Sequence, residues 1–311
     1  MKTLNTLKAQ YRKGDTLKAK YIREMYNIHR RLFEYPTLMK STDIAKIQLS
    51  DEGVIMSTRR ANTRFLCPEK DERVSPIEIL NFDVYEQHEF NVLMQLVQPH
   101  NVIFDVGANI GWYSINIAQQ FPKAQIYAFE PIKNTYEYLR KNIDLNGLTN
   151  IKAFNFGLSD KSKKLAFYYY PEGSGNASAK NLSKSRHVIR LPCRVKKMDD
   201  FVRLERCRVD VIKCDVEGAE LLVFRGGIET IKRDKPVIFS EILRKWSKQF
   251  NYNPNEIITL ITSLSYLCYS IRSGKLRRFV KMDKHTQETN FIFLHRQKHA
   301  TIISSLSRRS I

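Results

Sequence analysis

The stretch VIFDVGANIGWYSINIA, residues 102–118, decides how the chain folds. A compact apolar run, Asn101 to Val106, ends in Asp105-Val106-Gly107-Ala108-Asn109-Ile110-Gly111, and a helical pattern from about Gly111 to Phe121 follows directly. Glycines at such a strand-to-helix turn let the backbone approach a ligand closely, because no Cβ stands in the way. The alternation continues downstream. Gln125 to Glu130 reads as a second strand, with a helix through Leu145 that stops at Asn146-Gly147. Ile151 to Phe156 reads as a third strand, Val209 to Asp215 as a fourth and Pro236 to Glu241 as a fifth. Tyr266 to Ile271 and Asn290 to His295 supply a closing antiparallel pair. Lys164 to Tyr170 and His187 to Val195 are two extra strands flanking the Gly/Ser/Lys loop Pro171 to Arg186. Repeated units of this kind predict an α/β fold: a mostly parallel sheet, helices on both faces, and ligands at the carboxyl ends of the strands.

Upstream of Pro99 the chain has a different character. Residues 1–40 predict a basic amphipathic helical extension with Leu17, Tyr21, Met25, Ile28 and Leu32 along one face. That stripe is expected to pack on the domain itself in preference to the alternative, peripheral contact with a membrane or a partner. Residues 41–98 predict a β-hairpin, Ile44 to Leu66 around Asp51-Glu52-Gly53, and a lead-in helix, Glu86 to Val97, packed on the core. Residues 99–295 make the main domain, and residues 296–311 a basic tail.

Of the 311 residues 42% are hydrophobic, with 12 Gly and 10 Pro, which excludes wholesale disorder and collagen-like repeats. No window approaches the ~18 uninterrupted apolar residues of a membrane-spanning helix, and charge breaks MKTLNTLKAQYRKG before a secretory core forms, so a cytoplasmic chain is expected. Five cysteines, with no CxxC and no Cys/His ligand spacing, argue against disulfides and structural zinc. The net charge of +20 is localised. Residues 1–40 carry ten basic and three acidic side chains, residues 161–197 ten and one, and residues 296–311 four and none, so the remainder is neutral. Such basic additions attract anions: nucleic acid, anionic lipid or phosphorylated small molecules.

Chemistry concentrates at the strand ends. The turn reads G-x-x-x-G where a dinucleotide fingerprint would read G-x-G-x-x-G, so it lacks two features of pyrophosphate recognition. Glu130 ends the next strand, 19 residues beyond Gly111, where a carboxylate can accept hydrogen bonds from both hydroxyls of a ribose. Turn and acid together describe a nucleoside site that needs no phosphate. S-adenosylmethionine suits it, because its sulfonium and amino group tolerate carboxylates such as Asp105. The structural alternatives are an ordinary strand-end acid for Glu130 and a helix cap for Asp105.

At this point the chain resembles the FkbM family of S-adenosylmethionine-dependent methyltransferases. The resemblance is carried by VIFDVGANIGWYSINIA (Val102 to Ala118), YAFEPIKNTYEYLRKNIDLN (Tyr127 to Asn146), FNFGLSD (Phe154 to Asp160), VDVIKCDVEGAELLVFRGG (Val209 to Gly227) and PVIFSEI (Pro236 to Ile242). It implies a Rossmann-like, seven-stranded methyltransferase sheet and O-methylation of a sugar or other hydroxyl-bearing metabolite. It also implies that Gly107, Ala108, Asn109 and Gly111 wrap the methionine part, that Glu130 holds the ribose, and that Leu158, Ser159 and Asp160 border the adenine. The N-terminal helix and the basic tail lie outside the resemblance.

The fourth strand delivers Asp215-Val216-Glu217-Gly218-Ala219-Glu220 to the same rim. An alcohol loses its proton as it attacks a methyl group, so a placed base is expected, and Asp215, Glu217 and Glu241 are the candidate catalytic carboxylates. Alternatively Asp215 caps the next helix while Glu217 and Glu220 complement its positive end; Glu220 is expected to be structural. Several carboxylates at one rim also suit Mg²⁺, although no ligand spacing marks a metal site. His187 and His285 are further bases or solvated surface groups. Tyr168 to Tyr170 ahead of Gly173-Ser174-Gly175 predict an aromatic wall beside a loop over the acceptor. Tyr170, Lys180, Lys184 and Arg186 are its candidate substrate contacts, suited to a nucleotide sugar or anionic glycan. A solvated hairpin tip over structural tyrosines is the alternative. Two other functions compete. One is an RNA methyltransferase holding phosphates with the basic segments, against which stand DVEG in place of an Asn/Asp-Pro-Pro-aromatic block and the lack of a recognised nucleic-acid module. The other is a non-catalytic scaffold of the same fold, which would have little need of both the glycine turn and Glu130.

Overall fold

The computed structural model describes residues 2–182 and 187–308. Strands β1 (Ile44–Ser50), β2 (Gly53–Thr58) and β3 (Arg64–Cys67) form a small antiparallel sheet ahead of the main domain. The main sheet is opened by β4 (Val102–Val106), β5 (Gln125–Phe129) and β6 (Ile151–Phe154). A third sheet is made by β7 (Gly157–Leu158), β8 (Lys163–Tyr169) and β9 (Ile189–Lys196). The main sheet is completed by β10 (Val211–Cys214), β11 (Val237–Glu241), β12 (Tyr266–Arg272), β13 (Lys275–Phe279) and β14 (Asn290–His295). Its order is β13-β12-β14-β11-β10-β4-β5-β6, parallel from β11 to β6 and antiparallel through β14, β12 and β13.

The seven expected strands of this mostly parallel α/β sheet are all present. The eighth, β13, returns from β12 through Ser273-Gly274, both at positive φ (49° and 71°), the backbone of a tight two-residue hairpin turn. Its exposed edge carries Lys275, Arg277 and Arg278, charges that discourage pairing with another chain. In the central strands alternate side chains enter two different cores. Ile103, Ile126, Val211 and Phe239 join one cluster; Phe104, Phe129, Ile212 and Ile238 join the other. Both faces are covered, which is why these strands read as continuous apolar runs.

The upstream segments depart in detail from expectation. The β-hairpin is a three-stranded sheet, and its last strand is completed by side chains. On helix Lys133–Leu145 the fully buried Asn142 accepts from Leu66 N (2.7 Å) and donates to Ile110 O (3.0 Å), while Asn146, one turn on, bonds Arg64 N (2.8 Å) and Arg64 O (2.7 Å). The helix thus supplies the hydrogen bonds a fourth strand would have made, and ties β3 to the turn after β4. Residues 1–40 fold as α1 (Leu4–Arg12) and α2 (Lys18–His29), separated where Gly14 takes a left-handed φ of 79°, followed by a 3-10 turn, Arg30–Phe33, and a single α-helical turn, Tyr35–Leu38. Tyr11 stacks on Tyr21 at 4.4 Å, and none of Tyr21, Met25 or Ile28 enters the core clusters.

Asn142→Ala should destabilise the protein by on the order of 2–3 kcal/mol in a denaturant titration, because it orphans a buried N–H and a buried carbonyl together. Asn146→Ala, whose partners are exposed to water, should cost less. Equal losses would show that the two asparagines do not differ in this way.

Candidate active site

The glycine turn is shaped by what lies under it. A Cβ at Gly107, whose φ is 81°, would fall 1.8 Å from the carbonyl oxygen of Asp215, so only glycine lets the chain leaving β4 pass over the end of β10. Gly107 N and Ala108 N donate to Phe129 O at 3.1 and 3.0 Å, closing the turn onto β5. Asn109 is left-handed (φ 49°) and Gly111 (φ 99°) opens helix Trp112–Gln120. Asp105 is fully buried below this turn. It accepts from Ser114 N (3.1 Å) and Ser114 Oγ (2.6 Å) and faces Lys213 Nζ at 3.4 Å, so it braces the helix start rather than lining the cleft.

Glu130 occupies the position expected of it. Its Oε2 accepts from Asn109 N (3.0 Å) and Oε1 from Ile132 N (2.9 Å), which fixes the carboxylate at the edge of a cleft of about 330 Å³. Each oxygen keeps a further lone pair for a hydroxyl. Burial pushes the Glu130 carboxyl up to about 7, against the opposing effect of the two backbone donors. Gly107, Ala108, Asn109 and Leu158 line the same cleft. Ser159 and Asp160 lie outside its wall: Ser159 N bonds Lys196 O (2.9 Å), and the Ser159 carbonyl packs against Gly226.

The acidic side of the cleft gathers Asp215, Glu217 and Glu241, one oxygen of each within 4.8 Å of the others. A divalent cation would find three oxygen ligands there. Lys213 approaches Asp215 at 3.6 Å and is held protonated, since burial disfavours its charge but Asp105, Asp215 and Glu86 outweigh that. Glu217 and Glu241 are pushed well up, first by burial and then by Asp215. Glu220 is structural, as expected: it accepts from Val216 N (3.2 Å), Gly218 N (3.0 Å) and Tyr252 Oη (3.2 Å).

Sequence reading missed a fourth carboxylate. Glu86, left-handed at φ 44°, accepts from Tyr113 Oη at 2.6 Å, and burial followed by Asp215 pushes it up to about 7. Together with Tyr85 and Arg73 it comes from the lead-in segment, so no local motif could have announced it. The loop after β8 lies over the mouth. Ser174 N donates to Asp71 (3.2 Å), its hydroxyl also bonds Asp71 and contacts Asn109 Oδ1 (3.2 Å), and Ser178 Oγ donates to Glu217 O (2.9 Å). From β8 and the loop after it the aromatic on the cleft wall is Phe167, alongside Tyr85, Trp112, Tyr113 and Trp246 from elsewhere in the chain; Tyr170 is buried away from it, with its hydroxyl on Asn181. Lys180 is exposed and off the wall, and Lys184 and Arg186 lie outside the described residues. His187 and His285 are exposed and also lie off the cleft wall.

These raised carboxyls have a thermodynamic consequence. Glu86, Glu130, Glu217, Glu220 and Glu241 bind protons more tightly folded than unfolded, so their contribution to stability is present at low pH and lost as pH climbs toward 7. His295 and His299, whose values are lowered, oppose this below pH ~6.5. The melting temperature should therefore rise as pH falls from about 8 to about 6, and Glu241→Gln should raise it at pH ~8 and flatten the dependence. A melting temperature that rises with pH across this window, in wild type and variant alike, would contradict the assignment.

The family described as the methyltransferase FkbM domain matches residues 105–268. Methyltransferase 1 of Beauveria bassiana is 30% identical over 203 residues, covering 59% of this chain and 75% of that protein. The 2-O-methyltransferase NoeI of Sinorhizobium fredii is 29% identical, covering 46% of this chain and 64% of its own length. The hexuronic acid methyltransferase AglP of Haloferax volcanii is 30% identical, covering 45% and 56%. With more than half of its 311 residues inside the match, the chain belongs to the FkbM methyltransferase family.

Proposed function

We propose that the protein is an S-adenosylmethionine-dependent O-methyltransferase acting on a hydroxyl of a sugar or related metabolite. The observation that carries the reading is Glu130, anchored through both oxygens to the backbone beside the glycine turn and facing the same cleft as the Asp215 cluster. Bound there, S-adenosylmethionine would supply a methyl group activated by a sulfonium, whose S–CH₃ electron pair leaves on sulfur. Glu130 holds the ribose hydroxyls, and the backbone at Gly107 to Asn109 cradles the methionine portion. Asp215 takes the proton released by the attacking hydroxyl. It is the cluster member paired with Lys213, and neighbouring Glu241 and Glu217 favour their protonated forms. Protonation of Glu217 and Glu241 would relieve the repulsion among the three acids, and a divalent cation held by the same oxygens would relieve it as well.

Charge in the cleft orients the acceptor. The carboxylates favour an uncharged hydroxyl-bearing face at the reaction centre, whereas an acidic substituent belongs toward the exposed Arg73 and Lys245. Two relatives are named for 2-O-methylation and for methylation of a hexuronic acid, which supports a sugar acceptor.

Glu130→Ala should weaken S-adenosylmethionine binding roughly ten- to hundred-fold by calorimetry, through lost charge-assisted hydrogen bonds; an unchanged dissociation constant would remove Glu130 from the site. Asp215→Asn should keep that affinity and lower kcat by about 10² or more, the share a placed base contributes. Undiminished turnover would exclude Asp215 as the base. With a labelled methyl donor, label is expected in hexoses, hexuronates or nucleotide sugars, and label in total RNA instead would overturn the acceptor class.

A further inference from the structure

We infer that the N-terminal helical hairpin docks the protein onto an anionic lipid bilayer. The surface stands on residues 1–40, apart from the cleft. The hairpin closes on itself through Leu7, which is buried, and the Tyr11–Tyr21 stack. Met25 and Ile28 are half-buried, but four large apolar side chains point outward: Leu17 is 83% exposed, Ile22 56%, Tyr26 58% and Phe33 74%. Ile22, Arg23, Tyr26, Arg30 and Phe33 recur at helical spacing along α2 and the turn after it, so apolar and cationic groups share one outer face. Ten basic side chains stand against three acidic ones in this segment, and two of the three acids are engaged internally, Glu34 by Arg31 (2.9 Å) and Glu24 by Lys20 (4.0 Å).

A bilayer interface satisfies both parts of this face. Acyl boundary accepts Leu, Ile and Phe, the Tyr ring suits the headgroup level, and anionic headgroups answer the Lys and Arg. Nucleic acid would answer the charge but leave Leu17, Ile22 and Leu32 with nothing to stack on, since stacking needs aromatic rings. The predicted occupant is therefore lipid.

The test is co-sedimentation of the full chain with vesicles of phosphatidylcholine alone and of phosphatidylcholine with about one third phosphatidylserine. Binding is expected only to the anionic vesicles, and should weaken as salt is raised. The double variant Ile22→Ser/Phe33→Ser should lower the partition coefficient about ten-fold or more at unchanged charge, and Arg23→Glu/Arg30→Glu should lower it by a similar factor. Both variants should keep the wild-type circular dichroism and S-adenosylmethionine affinity, which separates this surface from the cleft. Equal binding to both vesicles, binding to neither, or retention on RNA but not on vesicles would each overturn the inference.

Discussion

A buried ammonium beneath the glycine turn is the constraint from which the site is built. Parallel pairing of β4 with β10 sets Lys213 directly beside Asp105, and the Lys213 side chain then meets Gly107 O at 2.9 Å and Asp215 at 3.6 Å. Taking such a charge out of water costs several kcal/mol unless partners surround it. Here the partners are the strand before the turn, the turn itself and the end of the neighbouring strand. The ion pair therefore locks three separate pieces of chain into one rim, and it leaves the carboxylates on the far side of Asp215 with little counter-charge of their own.

That shortage of positive charge explains the chemistry of the cleft. Four carboxyls converge on a small volume, and burial together with mutual repulsion makes several of them hold protons near neutral pH. Glu86 and Tyr113 belong to the same network through their 2.6 Å hydrogen bond. The cleft is also more composite than the family match suggests. Asp71, Arg73, Tyr85 and Glu86 precede residue 105, yet they either line the cleft or hold down the loop above it. Asn142 and Asn146 make this possible by fastening the upstream sheet to the domain.

Much of the fold was legible in the chain. The parallel strands announced themselves as apolar runs because both of their faces are buried, and the turn after β4 was marked by the spacing of Gly107 and Gly111. Edge strand β13 escaped notice because its alternation is weak and its charges face water. Reading residues 1–40 as one helix overlooked Gly14, which here breaks the helix through a left-handed φ of 79°. Among site residues, Glu130 was readable because its place follows from the turn and the next strand. Tyr170 misled because an aromatic run does not say which ring faces inward; Phe167, three residues earlier, takes that place.

What the amino-acid sequence determined by itself was the order of strands and helices, the closeness of backbone at Gly107, and the strand-end acid that follows it. Each of these depends on local periodicity or on residues a turn and a helix apart. Only tertiary structure decided which carboxylates crowd one cleft, that Glu86 joins them, that Ser174 is tied to Asp71 across 103 positions, and that Leu17, Ile22, Tyr26 and Phe33 of the N-terminal hairpin face solvent. Those outcomes depend on distances through space between groups far apart in the chain, where burial and Coulomb interaction, and not spacing, set the result.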